Sequence, residues 1–179
     1  ATDTFIEKDA AINEEIDKMR HAATRAVLES TDTIVVASVS CIYGLGAPED
    51  YFNQMLFVEV GQTVPREELI QKLVYMQYKR SDVEFRRGSF LVRGETIDVL
   101  PSDEDERAVR IMFFGDDIER IVDIDAITGT TKRAMTTAAV YPVSHYVSGR
   151  GAVDEAMVRI REELGTRVPE LINQGRLLE

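Results

Sequence analysis

The sequence predicts an α+β protein: a mixed block with an antiparallel sheet and a helix, inserted between pieces of a separate α/β domain. Three observations predict it. The middle of the chain alternates apolar and polar residues between glycine turns, the pattern of antiparallel strands. A helix-period stretch comes just before those strands. Toward the amino end, a helical pattern, a nearly continuous β-branched run and a glycine turn follow in the rhythm of an α/β unit.

Residues 10–29 have Ile12, Ile16, Met19, Ala23 and Val27 at steps of three and four, which places them on one helical face, with Asp9 as N-cap. Residues 33–40 (TIVVASVS) read as a strand buried on both faces, and Gly44, Gly46 and Pro48 end the pattern. A short strand is expected within 54–60. Residues 65–78 form a helix, with Pro65 in the first turn and Glu67 and Glu68 at its positive end. Residues 89–100 should be strand, turning at Gly94. Residues 108–114 and 118–124 flank Gly115-Asp116-Asp117 and read as a hairpin. Thr128-Gly129 turns the chain into a strand over 136–141. Residues 152–164 are helical, with Val153, Met157, Ile160 and Leu164 on one face, and Gly165, Pro169 and Gly175 interrupt the remaining stretch. The boundaries are therefore 1–51 and 149–179 as parts of one parent domain, with 52–148 inserted. The first residue is not Met, and the chain reads as a piece of something longer.

Composition excludes several functions. The chain has 179 residues, 44% of them hydrophobic, and a formal net charge of −11. A generic nucleic-acid binder is basic, so phosphate affinity spread over the whole surface is not expected. The one cysteine, Cys41, reads as a small core residue and suits a reducing cytoplasm. The two histidines, His21 and His145, are far apart in sequence, so no metal site is expected, and His21 reads as a half-buried helix residue. No phosphate-cradling G-x-x-x-x-G-K-[ST] loop, acidic magnesium pair or G-x-S-x-G elbow is present. The chain is therefore expected to be no enzyme by itself and to carry no cofactor. Its apolar runs are far shorter than the ~18 residues of a membrane span.

The strongest local signal is basic. Between residues 79 and 93 stand Lys79, Arg80, Arg86, Arg87 and Arg93 against only Asp82 and Glu84, with Phe85 and Phe90 interleaved. The planar guanidinium suits paired carboxylates or phosphates at an interface. The alternative is a solvated loop whose cations meet the acidic run 103–106 inside the chain. Lys8, Arg20 and Arg25 form a weaker cluster near the first helix, offset by Glu7, Glu14 and Glu15.

Three stretches are more specific together than apart. They are TFIEKD at 4–9 leading to DKMRH at 17–21; VASVSCIYGLG at 36–46; and YKR at 78–80 followed by FRRGSFLVRGE at 85–95. In this order and spacing the chain resembles the bacterial excinuclease UvrB family over essentially its whole length, including the tail at 175–179. The resemblance implies that 52–148 is the family's UvrA-binding domain. Residues 1–51 and 149–179 would then be parts of a helicase lobe whose ATP and magnesium sites lie in the full-length parent. It also implies that UvrA is contacted by Arg80 and Arg93, in the family's Tyr-x-Arg and Phe-x-Val-Arg-Gly motifs. Leu91 stands where many relatives have a third arginine, which moves attention to Arg86 and Arg87, with Phe90 packing beneath. Lys8 and Arg20 match positions associated with DNA handling.

The function so implied is a protein–protein interaction module of nucleotide excision repair, cytoplasmic and DNA-damage (SOS) linked. It would bind UvrA and help load the parent onto damaged DNA, where UvrC also acts. The alternatives are a direct DNA-binding module and the related UvrA-binding module of the transcription–repair coupling factor. The stretches at 4–9 and 36–46 favour UvrB over the latter.

Overall fold

A computed structural model describes residues 13–43, 45–82, 84–146 and 150–176. The chain divides into two compact units, residues 14–147 and the remainder. The architecture is α+β. The first unit holds α1 (Glu14–Glu29), α2 (Pro48–Gln54), β1 (Leu56–Glu59), α3 (Arg66–Tyr75), β2 (Lys79–Arg80), β3 (Ser89–Arg93), β4 (Thr96–Leu100), β5 (Arg107–Phe114), β6 (Asp117–Asp125), β7 (Thr131–Met135) and β8 (Thr137–Val140). The described part of the second is α4 (Arg150–Asn173).

Strands β2 to β7 form one six-stranded sheet in sequence order, and β1 pairs with β8 in a separate two-stranded sheet. All pairs are antiparallel except β2–β3. The expected hairpins are present. Gly94 (φ +59) and Gly115 (φ +62) occupy the left-handed region that β3–β4 and β5–β6 need to reverse over so few residues.

The core lies between α3 and one face of the large sheet. Leu69, Leu73 and Met76 pack with Phe90, Ile97, Val99, Ile111, Ile118 and Ile121, all buried. Helix α3 ends earlier than the expected 65–78. Gln77 adopts φ +69, and the Tyr78 amide turns back to the Leu73 carbonyl at 3.0 Å, a cap of the Schellman type. The Tyr78 hydroxyl donates to the Tyr141 carbonyl at 2.9 Å, which ties the end of the helix to the segment after β8.

Four expectations need correction. Residues 33–38 form no strand, and Ile34, Val35 and Val36 are exposed, because no described strand lies beside them to pair with. Cys41 is half-buried in a 3-10 turn at 39–42, not a core residue. The apolar side of α1 (Ile16, Met19, Val27) faces solvent, while His21 is the buried residue of that helix. Helix α4 runs on through Gly165 and Pro169, supported by Arg167–Glu170 at 2.9 Å, and closes only at Gly175 (φ +70). Its residues Met157, Ile160 and Leu164 are exposed. No described helix is long and apolar enough to cross a membrane. The expected N-cap Asp9 and residues 10–12 lie outside the described residues.

This packing can be tested by substitution. Leu73→Ala should lower the unfolding free energy by about 2–5 kcal/mol, because the fully buried site cannot refill with solvent. Ile160→Ala on α4 should change it by less than ~1 kcal/mol; equal losses in urea titrations would contradict this core assignment. In the β6–β7 turn, the Thr128 amide and then Lys132 hold the Asp125 carboxyl down to about 2. A folded-state pKa below the unfolded one stabilises above the unfolded pKa and is lost as pH falls through the folded value. The melting-temperature gap between the parent chain and Asp125→Ala should therefore be constant above about pH 5 and close between about pH 4 and pH 2.

Candidate protein-recognition face

Strand alternation gives β3 two sides. Phe90 and Val92 point into the core with α3, so Phe90, expected among the partner-contacting residues, is sealed completely inside. It can support the surface strand but not touch a partner. Ser89, Leu91 and Arg93 point to the other side.

That second face is filled at one end only. Phe85, from the loop between β2 and β3, packs with Leu100, Ala108, Val122 and Ile124. The next row carries a part-buried ion pair: Arg110 grips the buried Asp98 through two bonds, at 2.7 and 2.8 Å. The Asp98 bond raises the Arg110 pKa. Beyond it the register sets Arg93 opposite Thr96, Thr96 opposite Met112 and Met112 opposite Arg120. Thr96 and Met112 are half-buried, and Arg93 and Arg120 are exposed and make no ion pair among the described residues. The result is a band about four strands wide, with Thr96 and Met112 at its centre and a cation at each end.

The other basic residues divide between surface and scaffold. Arg80 is exposed, 3.9 Å from Asp82. It sits opposite Phe90 in the parallel β2–β3 register, on the other side of the sheet from Arg93 and about 10 Å along the strand. Strand pleat therefore does not bring the two motif arginines side by side. Arg86 is exposed and pairs with Glu84. Arg87 is largely buried and donates to the Glu14 carbonyl at 2.7 Å, holding α1 against the loop. Gly88 permits this loop to close: its φ is +70, and a Cβ would meet Val143 Cγ1 at 2.9 Å. The acidic run at 103–106 is engaged by Arg25, at 3.0 Å from Asp103, and by Lys18 and Arg87 at Asp105. Neither Arg80 nor Arg93 pairs with it among the described residues. Arg20 lies 3.5 Å from the Cys41 carbonyl and 5.9 Å from the Tyr146 ring centre. Lys8 lies outside the described residues.

Arg120 is the residue that linear reading missed. It follows Asp116, Asp117 and Glu119, so its local charge is acidic. Only cross-strand register joins it to Arg93.

The fold is that of a small α+β module. The family described as "UvrB interaction domain" matches residues 56–146, and the chain belongs to that family. It is 51% identical over 178 residues to "UvrABC system protein B" of Caldicellulosiruptor bescii, covering 99% of this chain and 27% of that protein. The protein of the same name from Bacillus licheniformis is 49% identical over 178 residues, with the same coverages. That of Nitratidesulfovibrio vulgaris is 50% identical over 179 residues, 100% of this chain and 26% of that protein. The chain thus spans about a quarter of the length of these relatives.

Arg93→Ala and Arg120→Ala should each leave folding stability within about 1 kcal/mol of the parent, since neither holds an ion-pair partner among the described residues. Arg110→Ala should cost about 3–5 kcal/mol, because it leaves the Asp98 charge buried and unpaired. Urea denaturation of the three variants checks the division; a large loss for Arg93→Ala would place that residue in the scaffold.

Proposed function

We propose that the chain is a non-catalytic interaction module of nucleotide excision repair that binds UvrA and helps load its parent onto damaged DNA. One observation carries the reading: an acidic chain keeps unpaired, exposed arginines at the open end of its sheet while its other sheet arginines are tied to internal carboxylates. Arg93 anchors that surface; Arg80 at the sheet edge and Arg86 on the flanking loop, each beside an exposed acid (Asp82 and Glu84), extend it. Kinship with UvrABC system proteins supplies the repair context. Ionic contacts of this kind chiefly raise the association rate and specificity. In a parent protein, residues 52–148 would be an insert between 1–51 and 149–179. ATP, magnesium, damaged DNA and UvrC would be matters for that parent, in the cytoplasm.

The test is binding of purified UvrA to this chain, measured by calorimetry with and without competing duplex DNA. Arg93→Ala and Arg80→Ala should each weaken binding at least about tenfold, or about 1.4 kcal/mol, while Lys79→Ala changes little. Duplex DNA alone should bind weakly. Unchanged UvrA affinity in both arginine variants would overturn the assignment, and tighter binding to DNA than to UvrA would favour a direct DNA-binding module.

A further inference from the structure

A second cluster stands apart from the sheet surface. Among the described residues, Asp17, His21 and His145 bring a carboxylate oxygen and one ring nitrogen from each histidine to within 4.8 Å of one another. Asp17 and His21 are one turn apart on α1, and His145 comes from the segment after β8. The two imidazoles stack, with ring centres 4.0 Å apart and planes at 21°. Tyr51 lies 5.6 Å from the His145 ring centre, nearly parallel to it.

His21 is the anomaly. Only 2% of it is exposed; the Val143 backbone lies close to the ring, yet neither ring nitrogen makes a hydrogen bond of ordinary geometry. Buried polar atoms almost always find a partner, and a missing one costs about 1–3 kcal/mol. The nearest acid, Asp17, stands 3.8 Å from His21 Nε2, too far for a hydrogen bond but close enough to share a ligand. Thr24 Oγ1 lies 2.8 Å from His145 Nε2 and contacts the Arg20 carbonyl at 3.0 Å. A hydroxyl contact of this kind orients the imidazoles of metal sites.

We propose that Asp17, His21 and His145 form a binding site for a divalent transition-metal ion of the Zn2+ class, clamping α1 to the segment after β8. Two imidazoles and one carboxylate suit Zn2+ far better than Mg2+ or Ca2+, which take oxygen ligands. Tetrahedral coordination at ~2.0–2.1 Å sets two ring centres about 5 Å apart with both rings aimed at the ion, so binding needs the stacked rings to part by about 1 Å and to swing well open from their 21° arrangement. A water can fill the fourth position.

The test uses the whole, untagged chain after chelator treatment. Zn2+ titrated by calorimetry should bind at one equivalent per chain and raise the melting temperature, with no competition from excess Mg2+. His21→Gln and His145→Gln should each weaken binding at least about tenfold, as loss of even a supporting contact does. Cys41→Ser should leave it unchanged. Should either histidine variant fail to fold, the wild-type chain decides. With only two histidines present, Co2+ must broaden both sets of imidazole proton signals at one equivalent. Absence of saturable binding, or Co2+ binding that leaves those signals sharp, overturns the proposal.

Discussion

The surface of the large sheet depends on how its other side is filled. Helix α3 lays Leu69, Leu73 and Met76 onto Phe90, Ile97, Ile111 and Ile121. Because side chains alternate strictly along a strand, burying one face fixes the register of every strand, and a one-residue slip would put apolar residues into water. The same constraint determines which residues remain outside. Once Phe90 and Val92 are inside, Arg93 must be outside, and once Ile111 and Ile121 are inside, Met112 and Arg120 must line up with it. The exposed band is the complement of the core.

Charge is distributed by the same geometry. Most arginines of the sheet neutralise carboxylates of their own fold, as Arg110 does Asp98 and Arg107 does Asp123 at 2.6 Å. In each pair the carboxylate is buried and the guanidinium is partly exposed, so removing the arginine leaves a buried charge without its partner. Arg93 and Arg120 have no such obligation. In a chain of net −11 they are cations available to a carboxylate-bearing partner, while the surrounding negative charge discourages indiscriminate contact with nucleic acid.

Much of the fold was legible because turn chemistry is local. Gly94, Gly115 and Gly129 mark the reversals, and the apolar spacing of residues 65–76 marks α3. The failures came where a segment's environment matters more than its pattern. Residues 33–38 have strand composition but no strand beside them among the described residues. Pro169 is a breaker by rule, yet helix continues around it. Ile16, Met19 and Val27 have a core-like spacing but face solvent. Within the site, Arg80, Arg86 and Arg93 could be picked out as exposed cations from the basic stretch. Phe90 could not be told from a surface aromatic until strand parity was known. Arg87 was indistinguishable from Arg86 without the fold, and Arg120 is hidden by the acidic residues before it. His21 and His145, far apart in the chain, gave no linear sign of stacking.

The central claim is that UvrA meets the sheet face carrying Arg93, Met112 and Arg120, together with Arg80 at the β2 edge, and does not reach the core side at the β7 edge. Methyl cross-saturation in the complex tests it most directly, with two methionines on opposite sides of the sheet as reporters. Met112 lies in the open band, whereas Met135 pairs with core residue Ile121. The account predicts strong attenuation of the Met112 methyl signal on irradiation of UvrA and little change at Met135. Attenuation at Met135 with Met112 unaffected would contradict it.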